Sequence, residues 1–125
     1  MSDLFLIAAV GRSGQLGLDG KLPWHDAADL RWFKTMTTGG TIIVGHNTAQ
    51  GLPELPDRTV VVDDRSQAPE SILEDLRRES SFRAIYVAGG AKTYRRYLHL
   101  VTRHLISVID YDGPADTWMP PLWGR

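Results

Sequence analysis

The sequence predicts an α/β domain, a three-layer α-β-α sandwich around a mostly parallel central sheet of about five strands. Short apolar runs alternate along the chain with segments of helical periodicity, which is typical of this class. The runs lack a polar residue at every second position, as expected for parallel strands that are buried on both faces. Since 125 residues suit one hydrophobic core, residues 1–125 are expected to form a single domain.

A glycine-rich loop separates the first predicted strand from the first predicted helix. Leu4 to Val10 is an uninterrupted apolar run, and the loop after it, GRSGQLGLDGKLPW, ends at Trp24. Such a loop is either a mobile lid beside the helix or a plain surface connection. Asp26 then predicts a helix N-cap, and the residues up to Thr37 favour a helix.

The remaining elements continue the alternation. Strands are predicted at Thr41 to Val44, Thr59 to Val62, Ala84 to Ala88 and Leu105 to Ile109. A short helical turn that begins at His46 would present amides and hydroxyls to an anion. Pro69 predicts a long helix through Arg78, with early acids and late bases that match the helix dipole. A last helix follows Gly90, and the tail after Ile109 is rich in turn residues.

The composition narrows the class of function. With 42% hydrophobic and 23% charged residues and a net charge of -1, the chain is not expected to bind nucleic acid or an anionic membrane surface. The absence of cysteine excludes disulfides and cysteine metal sites, and no metal site is predicted. The first apolar run is too short to span a bilayer and has no basic start, so a soluble, cytoplasmic protein is expected.

Asp29 lies on the apolar face of the first predicted helix. At roughly 100° per residue, Phe33, Met36 and Thr37 share its side of the helix. A buried carboxylate is costly unless it is paired or protonated, so this position indicates a functional acid at the floor of a pocket. The alternative is a capping box, in which Asp29 turns back to the helix start three residues after Asp26.

The predicted strands end at glycines or an acid. Gly11, Gly45, Asp63 and the pair Gly89-Gly90 follow successive strands, and ligands of parallel sheets bind at these carboxyl ends. The segment AGGAKTY lacks the complete dinucleotide fingerprint, so by itself it indicates either a dinucleotide site or an ordinary tight turn. The convergence of several glycine turns is the stronger indication of a ligand.

Several motifs in a fixed order give the chain a resemblance to dihydrofolate reductase of the bacterial, chromosomal type. They are IAAV (7–10), LGLDGKLPW (16–24), ADLRWFK (28–34), IVGHNT (43–48), LPDR (55–58), VAGGAKTY (87–94) and ADTWMP (115–120). The resemblance implies an NADPH-dependent oxidoreductase that reduces 7,8-dihydrofolate to 5,6,7,8-tetrahydrofolate in one-carbon metabolism. It also implies that antifolate inhibitors bind the same pocket.

The resemblance implies a role for each matching position on the substrate side. Asp29 corresponds to the family's active-site acid, which anchors the pterin and helps deliver a proton to N5. Trp24 corresponds to the tryptophan that holds a bridging water, and Leu22 to the lid residue that closes on the nicotinamide. Arg58 corresponds to the arginine that pairs with the glutamate tail, which its bidentate fork suits. The other substrate-side positions are Ile7, Leu30, Phe33, Leu52, Ala88 and Ser107.

The cofactor side is implied in the same way, with a cis bond expected between Gly89 and Gly90. Its positions are Ala9, Gly17, Gly45, His46, Asn47, Thr48, Asp63, Asp64, Arg65, Gly89, Gly90, Ala91 and Tyr94. His46 stands where the family has an arginine for the 2'-phosphate of NADPH. Asp63 and Asp64 replace an apolar residue and a hydroxyl, and an acid there binds a ribose hydroxyl and repels a phosphate. NADH is therefore the alternative cofactor, whereas Arg65 remains a candidate phosphate ligand.

The chain also departs from the family in length. The segment from Arg65 to Ser71 is too short for the family's extra edge strand, and no terminal β-hairpin follows Pro120. The strand Leu105 to Ile109 is then expected at an open edge of the sheet, which predicts a homo-oligomer that associates through it. Two alternatives to the reductase remain: a non-catalytic cofactor-binding or assembly protein of the same fold, and a related pterin or pyrimidine reductase.

Overall fold

The structure is a computed structural model that describes residues 3–18, 22–24, 26–53, 55–80 and 83–120. Its strands are β1 (Leu4–Val10), β2 (Gln15–Gly17), β3 (Thr41–Gly45), β4 (Thr59–Asp63), β5 (Ile85–Val87), β6 (Arg103–Val108) and β7 (Thr117–Trp118). Its helices are α1 (Ala27–Thr37), α2 (His46–Gly51), α3 (Pro69–Glu79) and α4 (Ala91–Tyr97), and a 3₁₀ turn at Leu98–Leu100 follows α4.

Five of the strands form one sheet in the order β4-β3-β5-β1-β6. Every neighbouring pair in this sheet is parallel. β1 therefore lies between β5 and β6, and its apolar residues are covered on both faces. The predicted α/β class with a mostly parallel five-stranded sheet is confirmed.

Alternate residues of the strands enter two separate apolar clusters. Leu4 and Leu6 of β1 pack with Leu73 of α3 and Tyr97 of α4. On the other face, Ile42 and Val44 of β3 pack with Phe33 of α1 and with residues of α2. Because successive side chains of a strand point to opposite faces, α3 and α4 cover one face and α1 and α2 the other. This arrangement gives the three predicted layers.

The long helices begin as their sequences predict. Asp26 caps α1 through a hydrogen bond that its Oδ1 accepts from the backbone N–H of Asp29, at 2.9 Å. After the C-cap of α1, Gly39 has a φ of 79°, the left-handed conformation that commonly ends a helix. In α3, Pro69 occupies the first turn and Leu73 is buried, so this helix serves the core as expected.

The structure corrects the prediction at two places and adjusts the ends of four strands, of which β3 and β4 are each one residue longer than predicted. Within the predicted loop 11–24, Gln15–Gly17 forms β2 and pairs antiparallel with β7 in the tail that was predicted as turns. β5 is shorter than predicted, and β6 runs from Arg103 to Val108 instead of from Leu105 to Ile109. The polar residues Arg103 and His104 belong to β6 because they pair in register with β1.

The two features expected from the short chain are visible in the described residues. No strand lies between β4 and α3, whose connecting residues are all described. β6 is the last strand of the sheet, and Val108 on it is 66% exposed. None of the helices that the structure describes has both the length and the apolar character needed to cross a bilayer.

Candidate active site

A cleft lies between α1 and the carboxyl end of β6, with Asp29 in its wall. Its volume is about 290 Å³. It is lined from α1 and its cap by Asp26, Ala28, Asp29 and Trp32, and from the end of β6 by Ser107, Val108, Ile109 and Asp110. The predicted acid therefore faces the end of the sheet where ligands of parallel folds bind.

The carboxyl group of Asp29 has an unusual environment. Its Oδ1 is buried and accepts no hydrogen bond among the described residues. Burial raises the pKa of Asp29, the hydroxyl of Ser107 opposes this effect, and the negative charge of Asp26 adds to it. The net result is a pKa above the ordinary value, so this carboxyl holds a proton more readily than a solvated one.

Of the two reciprocal hydrogen bonds that define a capping box, the described residues make one. The backbone N–H of Asp29 donates to Asp26, which satisfies the start of the helix. The reciprocal bond is not made by Oδ1 of Asp29, which is left without a partner. Asp29 thus helps to begin α1 through its backbone, while one of its carboxylate oxygens remains available to a ligand.

Trp24 supplies the complementary unpaired group. Its indole Nε1 is buried and donates to no described residue. The ring is held by Tyr111, with the two ring centroids 5.6 Å apart. A buried donor and a buried acceptor without partners are rare in folded proteins and are usually satisfied by a water or a ligand. Leu22, the predicted lid residue, is 56% exposed two residues before Trp24.

The sheet presents several predicted residues to the same face as Asp29. Ile7 and Ala9 alternate with the residues of β1 that pack under α3 and α4, so they point toward α1. Ala9 is the register partner of Ser107, which lines the cleft. From the opposite layer, the buried hydroxyl of Tyr94 donates to the carbonyl of Ile7 at 2.8 Å, and burial raises the pKa of this hydroxyl.

The predicted apolar wall is only partly assembled. Phe33, Leu52 and Ala88 pack around one buried cluster of β3 and Leu55, so the structure brings these three together. Leu30 is 41% exposed on α1 and takes no part in that cluster. It lies one residue from the acid and presents apolar surface to solvent.

Arg58 is held against the end of α1. Its Nε donates to the hydroxyl of Thr37 at 2.8 Å, and its NH1 donates to the carbonyl of Pro56 at 2.7 Å. Its NH2 donates to the carbonyl of Lys34 and to the hydroxyl of Thr38. Since a guanidinium has five N–H groups, about one remains for a ligand in this arrangement.

The glycines at the ends of β3 and β5 meet. The backbone N–H of Gly45 donates to the carbonyl of Gly89 at 2.9 Å. A Cβ on Gly45 would lie 2.6 Å from the hydroxyl of Thr93, so any larger residue displaces α4. Gly89 has a φ of 126°, and its bond to Gly90 is cis, as the resemblance implies. A Cβ on Gly90 would approach the hydroxyl of Thr48 to 3.2 Å.

The other cofactor-side candidates are spread around this glycine cluster. His46 and Asn47 are exposed at the start of α2, and Ala91 begins α4 beside Gly90. Gly17 lies in β2, where its carbonyl accepts from the backbone N–H of Asp116 at 2.9 Å. Asp64 and Arg65 are exposed after β4, whereas Asp63 is buried and points into the layer of α4. The described residues contain no cluster of side chains suited to a metal ion.

Some residues of the site region were not predicted. Thr37 is fully buried and accepts a hydrogen bond from Arg58. The hydroxyl of Thr93 lies close to where a Cβ at position 45 would stand. Arg96 of α4 binds the carboxylate of Asp63 at 2.8 Å. The helical period had already placed Thr37 on the inner face of α1, but no local pattern connects Arg96 with a strand about thirty residues earlier.

Comparison with known proteins gives consistent results. The family model described as dihydrofolate reductase matches residues 3–124. A dihydromethanopterin reductase of Methylorubrum extorquens is 34% identical over 98% of this chain and 94% of its own length. The dihydrofolate reductase HdrB of Haloferax volcanii is 31% identical over 96% of this chain and 71% of its own length. The dihydrofolate reductase of Haemophilus influenzae is 31% identical over 94% of this chain and 78% of its own length.

Proposed function

This chain belongs to the dihydrofolate reductase family of pterin-reducing oxidoreductases, and from that premise we propose that it reduces the C6-N5 double bond of a dihydropterin, with 7,8-dihydrofolate as the first candidate substrate. The observation that carries the proposal is the buried, unpaired Oδ1 of Asp29 in the cleft at the carboxyl end of the sheet. Such a group is costly to a fold and has no use in a scaffold, so it favours an enzyme over the non-catalytic alternative.

Asp29 suits two steps of this reaction. When ionised, its free oxygen can accept hydrogen bonds from the amino group and a ring N–H of a pterin. Because the pKa of Asp29 is raised, its carboxyl group keeps a proton to higher pH than a solvated carboxyl group does, and that proton can be passed toward N5. The unpaired Nε1 of Trp24 can hold a water in the same region. Leu22 is exposed and can close over the cleft.

The residues at the ends of β3 and β5 fit a dinucleotide. Gly45, Gly89 and Gly90 keep the strand ends free of side chains, which lets an extended ligand approach the backbone. Thr48 and Tyr94 border these glycines. A reduced nicotinamide supplies the hydride when it is bound there. NADPH is proposed by resemblance, and NADH is the alternative because no arginine stands at position 46.

A second candidate substrate is dihydromethanopterin. The relative named for it matches 94% of its own length, against 71% and 78% for the two dihydrofolate reductases. In addition, the contacts of Arg58 with Thr37, Pro56, Lys34 and Thr38 leave about one N–H for the two oxygens of a glutamate tail. The engaged guanidinium of Arg58 favours a dihydropterin whose tail does not need a bidentate arginine.

Loss of nicotinamide absorbance tests both candidates with one purified protein. Dihydrofolate and dihydromethanopterin are each supplied with NADPH and with NADH, and the Asp29→Asn variant is the matched control for the chemical step. Turnover of either dihydropterin that falls at least a hundredfold in the variant supports the proposal. No turnover in any of the four combinations would remove the enzyme assignment, and equal rates in the variant would remove Asp29 from the mechanism.

A further inference from the structure

The carboxylate of Asp63 is fully engaged inside the protein. Asp63 is 6% exposed at the end of β4. It accepts from Nε of Arg96 at 2.8 Å and from NH2 of Arg96 at 3.4 Å. It also accepts from the hydroxyl of Tyr97 at 2.8 Å and from the backbone N–H of Arg65 at 2.8 Å. These four contacts use the four lone-pair sites of a carboxylate.

The direction of this side chain follows from the alternation of β4. Val61 packs in the cluster under α3 and α4, and Asp63, two residues later, points to the same face. Burial alone would raise the pKa of Asp63, but the hydrogen bonds from Arg96, Arg65 and Tyr97 outweigh it and hold the pKa below the ordinary value. The acid is therefore ionised at neutral pH, and Arg96 balances its charge.

The same carboxylate fixes the turn after β4. Arg65 has a φ of 68°, a left-handed conformation that is unfavourable for a residue with a side chain. Its N–H is bound by Asp63, which holds the turn in this conformation. Asp63 is also the register partner of Gly45, so the turn adjoins the strand whose end fits the dinucleotide.

We infer that Asp63 is a positioning residue for the nicotinamide dinucleotide and not a ligand of its ribose, an inference that rests on the proposed function. No acceptor site of its carboxylate is left for a ribose hydroxyl, and Arg96 cancels the charge that would repel a 2'-phosphate. What Asp63 does is hold the turn from Asp64 to Ser66 beside β3. Selection between the two cofactors then falls to the exposed Asp64, whose carboxylate accepts from the backbone N–H and the hydroxyl of Ser66 and faces solvent.

Binding of the free cofactors, measured by calorimetry or by quenching of tryptophan fluorescence without substrate, tests this inference. Asp63→Asn keeps the shape but weakens the turn, so the dissociation constants of NADPH and NADH should rise by a common factor of about five, while kcat at saturation is retained. A loss confined to NADH would make Asp63 a ribose ligand and overturn the inference. Unchanged affinity for both, with a lower melting temperature, would make Asp63 purely structural and overturn it as well.

Arg96→Gln is the second variant, and it leaves the acid without its counter-charge. The dissociation constant of NADPH should then rise more than that of NADH, so that the ratio of the two constants, NADPH over NADH, increases about fivefold. Adding Asp63→Asn should return this ratio to its wild-type value. If this ratio stays raised in the double variant, Arg96 is itself the phosphate ligand, and its role in neutralising the charge of Asp63 is refuted. Wild-type protein that binds neither nucleotide would refute the proposed cofactor and the inference together. Binding without turnover would refute only the proposed reaction.

Discussion

Replacing Asp29 with asparagine is expected to stabilise the protein while it removes most of the activity. An unsatisfied buried acceptor costs about 1–3 kcal/mol, and we take about 1 kcal/mol because Asp29 as a whole is only half-buried. Asparagine keeps the shape and an acceptor oxygen but removes the negative charge, so the gain comes from the charge that burial disfavours. For a domain of this size, that gain corresponds to a rise of roughly 3–6 °C in melting temperature.

The gain must depend on pH with a defined sign. The folded state raises the pKa of Asp29 above its ordinary value of 3.8, so it disfavours the ionised form. The wild type therefore loses stability as the pH rises from that value through the folded pKa, and the loss is constant above it. The advantage of Asp29→Asn should be full above the folded pKa of Asp29, decline as the pH falls from there toward 3.8, and be absent below the ordinary pKa.

Thermal and urea unfolding at several pH values, together with the absorbance assay, measure both effects. Asp26→Asn is the companion variant, because asparagine caps a helix as well as aspartate and the change removes a charge that raises the pKa of Asp29. The pH above which the rate falls, because Asp29 loses its proton, should be lower in this variant than in the wild type. If Asp29→Asn melts below the wild type at pH 7.5, the carboxylate is stabilising and the reasoning from its unpaired oxygen is wrong.

Three other predictions concern Arg58, Gly45 and the open edge of the sheet at β6. Arg58→Ala removes charged hydrogen bonds to α1, so it should lower the free energy of unfolding by about 2 kcal/mol in urea titration and raise KM for dihydrofolate. An unchanged free energy of unfolding and an unchanged KM would contradict both roles of Arg58. Gly45→Ala should cost about 1–3 kcal/mol through its contact with Thr93, and Thr93→Ala in the same chain should recover most of it. Gly51→Ala, where no atom lies within 4 Å, is the control and should cost nothing. Val108→Lys should weaken self-association through β6 in concentration-dependent light scattering, and a wild type that is monomeric at every concentration would refute that interface.

Local patterns account for the parts of the fold that the sequence predicted. β1 was located exactly because an apolar run bounded by Asp3 and Gly11 needs no distant information. The same holds for α3, where Pro69 and the ordered charges mark the first and last turns. The side of α1 on which Asp29 lies also follows from the helical period alone. In each case the residues that decide the structure are neighbours in the chain.

The parts that the sequence did not predict depend on distant partners. β2 and β7 have three and two residues, and neither has a periodic signal, so their pairing becomes visible only in space. Three of the four hydrogen bonds of Arg58, to Lys34, Thr37 and Thr38, and the ion pair of Asp63 are likewise formed between separate elements. Alternation along β4 puts Asp63 on the same face as Val61, but only the structure shows that Arg96 and Tyr97 of α4 lie there to bind it.

The position of β1 has a consequence for how the chain acquires its structure over time. β1 precedes both of its sheet partners in the chain, since β5 and β6 occupy residues 85–87 and 103–108. The apolar residues of β1 therefore remain without their sheet partners until most of the polypeptide has been synthesised. Because such long-range pairing closes large loops before it gains contacts, folding should be slow for a chain of this length. During this interval the nascent protein exposes the segment Leu4–Val10, to which a chaperone or a second nascent chain can bind.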